Sequence, residues 1–164
     1  MSPESGIPVS GQGGKDMQPF ETTSVRMEEM LLLTFQAPPE DVDRIMDAVV
    51  RIVPLVMGSY DSNAYQSGAG IERYRPLKGA AAGAETALRK RPGVVEVTFE
   101  LPPDRPLLES VVEAIFRMHS YQEPVIRVRT VLASRSKGLD DSANPHRWWN
   151  TVGDWKTADE TSAP

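Results

Sequence analysis

The chain of 164 residues has no cysteine and only two histidines, His119 and His146. Without cysteine there are no disulfides, no zinc–thiolate sites and no thiol nucleophile. Two separated histidines cannot close a structural metal site, which needs about four ligands. Long apolar runs are also missing, and none approaches the roughly 20 residues of a membrane helix. The opening stretch MSPESGIPVSGQGGKD lacks the basic and apolar regions of a signal peptide, so a cytoplasmic location is the expectation. Basic excess is lacking too: 18 Lys and Arg stand against 23 Asp and Glu, for a net charge of −5. Nucleic-acid binding, which draws on counterion release by a basic surface, is therefore not expected. The one basic cluster, Arg89, Lys90 and Arg91 in LRKRPG, is expected to be a solvated turn, with an anion contact as the alternative.

The remaining sequence divides into three parts. Residues 1–27 are polar and aperiodic, as are residues 134–164, and both are expected to be tails. Between them, residues 28–133 alternate between strand and helix patterns. MLLLTFQA places Leu31, Leu33 and Phe35 on one face of a strand, with Leu32 and Thr34 on the other. The following PPEDVDRIMDAVVRIVP opens on prolines and acids suited to a helix N-terminus and repeats Val42, Ile45, Met46, Val49 and Val53 on one face. A two-strand excursion turning near Gly68–Gly70 is expected next, then the strand VVEVTFEL with Val95, Val97, Phe99 and Leu101 inward. A second helix follows, with Asp104 as its N-cap, Pro106 in its first turn, and Leu108, Val111, Val112, Ile115 and Met118 on its apolar face. PVIRVRTVL closes the unit as a strand. The order β-α-β-β-α-β predicts an α+β, ferredoxin-like sandwich, an antiparallel sheet with two helices on one face.

Chemistry-bearing residues concentrate in RMHSYQEPVIRVRT. His119 falls where the second helix stops, and there it either bonds the last carbonyls and meets the helix dipole or belongs to a site. In the second reading His119, Tyr121 and Glu123 bring an imidazole, a phenol and a carboxylate within five residues, a set able to hold a metal through His119 and Glu123 or to orient a proton. A second group, Tyr60, Arg73, Arg75 and Lys78, would form an anion-friendly rim. The GAG at 68–70 leads into a strand rather than a helix, so it is read as turn glycine and not as a phosphate cradle. All three tryptophans, Trp148, Trp149 and Trp155, lie in the C-terminal segment. Leaving them exposed would be aggregation-prone, so they are expected to dock, on this subunit or a neighbour, or to engage a partner.

HSYQEPVIRV resembles the HPYEEP signature that closes the PII-like, CutA-like domain found inserted in YqfO-type (Nif-three-like) proteins and also occurring alone. Upstream, VMGSYDSNAYQSGAGIERYRPLKGAAAGAE matches the pattern of that domain at Gly58, Tyr60, Gly68, Gly70, Tyr74, Pro76 and Gly79. The resemblance covers roughly residues 30–133. It departs at Ser120 and Gln122, at Ser62 and Asn63 after the tyrosine, and in the loop GAAAGAE, where a Phe-Pro pair is usual. It implies the same ferredoxin-like fold, a homotrimer with sheet edges paired across subunits, and small-ligand binding in clefts near the glycine loops. The two-metal centre of the full-length proteins lies outside the resembling domain.

The expectation is a non-enzymatic, cytoplasmic, self-associating module that binds a small ligand or a divalent metal in a regulatory role, with no nucleic acid and no membrane. Its candidate ligand residues are His119, Tyr121, Glu123, Tyr60, Arg73 and Arg75. The alternatives are an adaptor acting through the tryptophan segment, and an enzyme of unknown reaction, against which stands the lack of a recognisable nucleophile–base pair.

Overall fold

The computed structural model describes residues 17–153. Trp155, one of the three expected docking residues, lies outside them. The elements run β1 (Phe20–Glu21), β2 (Val25–Ala37), α1 (Pro39–Ile52), β3 (Tyr65–Gln66), β4 (Gly70–Tyr74), β5 (Arg89–Leu101), α2 (Arg105–Met118), β6 (Ile126–Ser136) and a 3₁₀ turn, Trp148–Asn150. The expected β-α-β-β-α-β order is present, with β1 and the 3₁₀ turn added at its ends.

β2 is central because both of its edges find partners. It pairs antiparallel with β5 on one side and β6 on the other, so that Leu33 stands opposite both Phe99 and Val128. Its odd-numbered apolar residues face the helices. There Leu33, Phe35, Val97, Phe99 and Leu101 pack against Val42, Ile45 and Val49 of α1 and Val111 and Ile115 of α2. Phe35 and Phe99 meet edge-to-face, with centroids 6.5 Å apart. These side chains are all but inaccessible, and truncating one to alanine in such a core costs about 3 kcal/mol. The two helices begin as their sequences require. α1 opens at Pro39, whose missing N–H leaves no bond unmade. α2 opens on Asp104, whose carboxylate accepts from Leu107 N at 3.0 Å.

The opposite face of the sheet carries polar pairs. Thr34 Oγ1 lies 2.9 Å from Thr98 Oγ1, and Gln36 Nε2 donates to Glu96 Oε1 at 2.8 Å. Arg127 and Arg129 of β6 are exposed.

Three expectations are corrected. β3 and β4 do not form an excursion of their own. Each pairs with β5, so they are two pieces of one interrupted edge strand. Arg89, Lys90 and Arg91 are not in a turn. They open β5 and pair with Tyr74, Arg73 and Glu72, making a hairpin with β4. Pro92 and Gly93 hid this strand. Pro92 donates no ladder bond, and Gly93 holds φ at 89° where β4 shifts register between Gly70 and Ile71, which is the local form of a bulge. Finally, β2 begins at Val25, pairs with Ser136 there, and forms an arm with the end of β6 on one edge and β1 on the other. The charges of Arg26, Glu28 and Glu29 masked that part of the strand in the sequence.

Candidate functional site

The junction between α2 and β6 is built on two buried polar side chains, Asp41 and His119. His119 is the C-cap of α2, as its position suggested. Its ring does not bond the last helical carbonyls, however. It turns inward, where Nε2 meets the Gln36 carbonyl at 2.7 Å and Nδ1 accepts from Tyr121 N at 3.0 Å. An acceptor at Nδ1 and a carbonyl at Nε2 fix the neutral Nε2–H tautomer. The free helix carbonyl of Met118 is taken instead by Arg44 Nε, at 2.9 Å. Asp41, one turn before Arg44, accepts from Arg44 Nη2 on one oxygen and from both Ser120 N (3.0 Å) and Ser120 Oγ (2.5 Å) on the other. Burial pushes the Asp41 carboxyl up, but the bonds from Ser120 and Arg44 outweigh it and hold its pKa below the usual carboxylate value. Ser120, a departure from the signature, thus ties α1 to the helix–strand junction.

Two residues further on the polarity is less complete. The Tyr121 ring lies 4.7 Å from that of His119, tilted by 56°. On Tyr121 also rests the Arg91 guanidinium, 4.7 Å from the ring centroid, and the same guanidinium sits 5.5 Å from the Tyr74 ring. Arg91 Nη2 donates to Tyr74 Oη at 3.3 Å. An arginine held between two phenol rings keeps its charge while losing little freedom. Tyr121 Oη is buried and makes no hydrogen bond of good geometry among the described residues. Burial pushes its phenol up; Arg91 opposes this and Glu72 adds to it, each through its charge and through side-chain hydrogen bonding to the phenol. Around this clasp the hairpin carries six basic residues (Arg73, Arg75, Lys78, Arg89, Lys90, Arg91) against two acidic ones, Glu72 and Glu85, in a chain whose net charge is −5. Its loop is fastened to the junction by Gln122, the second departure from the signature. Gln122 Oε1 accepts from Ala81 N at 2.9 Å and Nε2 donates to Gly79 O at 3.2 Å.

The expected site residues are therefore only partly gathered. His119 and Tyr121 meet at the junction. Glu123 is exposed and makes no hydrogen bond or ion pair there among the described residues. Arg73 stands opposite Lys90 on the hairpin, and Arg75 and Lys78 are exposed where the loop begins. Tyr60 is elsewhere, 69 % exposed in the Met57–Tyr60 bridge. It lines a shallow cavity with Val56, Gly58, Ser59 and Asp61 that includes neither arginine. Among the described residues no group of three or more His, Asp or Glu side chains comes together as metal ligands would, and no helix is long and apolar enough to cross a membrane. Arg91, Tyr74, Gln122 and Asp41 were not singled out as site residues in the sequence. Arg91 carried a signal in the basic cluster, with an anion contact as its alternative reading, and Tyr74 in the matched pattern, but only the β4–β5 pairing brings the two together.

No protein-family model matches the chain, and no curated protein matches it. Among solved structures it is similar to a Bacillus cereus protein related to NIF3, at 19% identity and a TM-score of 0.54, over 72% of this chain and 28% of that one. The chain thus spans little more than a quarter of that protein's length. It is also similar to CutA1 from the psychrotrophic bacterium Shewanella sp. SIB1, at 14% identity and a TM-score of 0.47, over 63% of this chain and 82% of that one. A third is CPII, a nitrogen regulatory PII-like protein from Thiomonas intermedia K12 bound to ADP, AMP and bicarbonate, at 14% identity and a TM-score of 0.42, over 66% of this chain and 97% of that one. The fold, an α+β ferredoxin-like sandwich, is shared with a segment of the Bacillus cereus protein. At these identities the likeness concerns fold and not chemistry.

Proposed function

We propose that this chain is a non-enzymatic regulatory module that self-associates and takes a small anionic ligand beside the Arg91 clasp, with Tyr121, Arg73 and Arg75 as further contacts. One observation carries this reading. A guanidinium held between Tyr74 and Tyr121 adjoins a buried phenol hydroxyl without a well-formed hydrogen bond, at the root of a hairpin whose charge is opposite to that of the whole chain. Preorganised cations suit phosphate or carboxylate groups. A divalent cation on His119 and Glu123 is less well supported. It would have to displace the Gln36 carbonyl from Nε2 or the Tyr121 amide from Nδ1.

Self-association rests on the uncovered sheet face and on the strand edges of β6 and of β3 and β4, which a closed ring of subunits would protect. A trimer is the expected form. The test pairs light scattering on the purified chain with a thermal-shift panel of inorganic phosphate, pyrophosphate, citrate, nucleotides and divalent metals, on wild type and Arg91→Ala. A ligand that binds the folded state alone raises the melting temperature. A rise with an anion in wild type that is lost in R91A supports the reading. A rise with a metal alone, lost in His119→Ala and kept in R91A, overturns it.

A further inference from the structure

The segment after β6 is a small folded unit. Asn144 N donates to Asp141 O at 2.8 Å, and Asn150 Nδ2 donates to both Asp141 O and Asn144 O at 3.0 and 2.8 Å. Arg147 pairs with Asp141 and lies 5.9 Å from the Trp149 ring. These bonds all run within residues 141–150, and they present Trp148 and Trp149 outward, 61 % and 53 % exposed. Two indoles fixed in place and left in water are an interface feature. Tryptophan dominates binding hot spots, and a rigid presenter loses little entropy on docking.

β2, β5 and the loop after α1 line a cavity of about 340 Å³ walled by Leu32, Leu55, Met57 and Phe99, with Glu100 and Arg135 as its charged members. Arg135 Nη2 stands 2.7 Å from Glu100 Oε2, yet that oxygen accepts no hydrogen bond of good geometry. Val56 and Tyr65, also on its lining, are 57 % and 71 % exposed. The cavity thus offers an apolar wall and, on its lining, a paired cation and a carboxylate with one buried oxygen short of a well-formed hydrogen bond. An indole supplies the counterpart of each: a large apolar ring, a π face and one N–H that can only donate.

We propose that the tryptophan turn of one copy docks into this cavity of a second copy, Trp148 and Trp149 packing on the apolar wall and an indole N–H donating to Glu100. The proposal rests on the self-association reading. A second copy is favoured over the same chain because the root of the turn is fastened away from the cavity. Lys137 N donates to Ser24 O at 2.9 Å, and Lys137 Nζ pairs with Glu21 at 2.7 Å. The segment therefore leaves β6 along the β1–β2 arm instead of folding back over Arg135.

The absence of cysteine makes a cross-link decisive. Val152→Cys, at a fully exposed position beside the turn, is placed in one tagged population, and Ala64→Cys, at an exposed position on the cavity lining, in another. The two are mixed and mildly oxidised, with light scattering run alongside. The expected result is a disulfide between the two tags whose yield drops about tenfold when Trp148 and Trp149 are changed to alanine. Oligomers without the mixed disulfide overturn the docking and leave self-association standing. Monomers without it overturn both. A disulfide that forms only within one chain, in the A64C/V152C double variant, places the indoles in their own cavity and also overturns the proposal. A mixed disulfide that survives loss of both tryptophans shows an interface in which they play no part, and overturns it equally.

Discussion

His119 and Tyr121 are two residues apart and their rings touch, yet they sit in opposite kinds of place. Around His119 each polar group is answered within the protein: both ring nitrogens, the Asp41 carboxylate, the Ser120 amide and hydroxyl, and the Met118 carbonyl. Around Tyr121 there is a surplus. Its hydroxyl is buried without a well-formed hydrogen bond, Arg91 is held ready between two rings, and the surrounding hairpin repels itself with unbalanced positive charge. A buried polar network with nothing left over rigidifies a fold, whereas an incomplete one has chemistry to offer a ligand. The scarcity of histidine drew attention to His119, but scarcity says nothing about whether a side chain's bonding capacity is already spent.

The largest expected effect lies on the closed side. Asp41→Ala strips three donors of their acceptor and leaves Arg44 facing a buried gap, so it lowers unfolding free energy by about 3 kcal/mol, measured by denaturant titration. The same carboxylate sets a pH dependence. Its folded pKa is depressed below the ordinary 3.8, so its contribution is fully present above that value and is lost as pH falls through the folded pKa. Asp41→Asn removes that acid-side loss, and a variant whose acid unfolding matched wild type would break the contrast between the two places. Next comes His119→Ala, at about 2 kcal/mol, through two lost hydrogen bonds and a small cavity. Anion binding at the clasp survives it. Arg91→Ala behaves in the opposite way, costing about 1 kcal/mol of stability while abolishing the anion-induced rise in melting temperature. Arg73→Ala and Arg75→Ala weaken that rise in part, with a steeper fall in salt for wild type than for either variant. The smallest effect belongs to Gln122→Ala. It changes global stability by less than about 1 kcal/mol but speeds hydrogen exchange at the Ala81 amide, which Gln122 holds.

The fold was legible because its signals were strong and local. Alternation in MLLLTFQA and VVEVTFEL, a 3.6-residue period after paired prolines, and an Asp before α2 each name an element and the face it buries. What stayed hidden depended on pairing at a distance. Arg89–Arg91 looked like a solvated turn because charge and Pro92 outweighed propensity, and only pairing with β4 makes the segment a strand. Gln122 and Ser120 looked like losses against the signature. Their side chains in fact reach 41 and 79 residues along the chain, to the loop at Ala81 and to Asp41. Within one subunit Tyr60 lies in the Met57–Tyr60 bridge and not on the hairpin with Arg73 and Arg75, because nearness in motif order does not fix pairing.

The most direct measurement is a pair of nitrogen-15 NMR titrations of the full chain, one with pyrophosphate and one with zinc, reading the Arg91 side-chain Nε, the Tyr121 and Gln122 amides and the His119 ring nitrogens. The open-and-closed contrast predicts that pyrophosphate moves Arg91 Nε and the amides of the Tyr121 and Gln122 turn while the His119 ring signals hold still with either titrant. Zinc moving the His119 ring nitrogens at stoichiometric ratios, with Arg91 silent to pyrophosphate, would contradict it and make the histidine junction the working site.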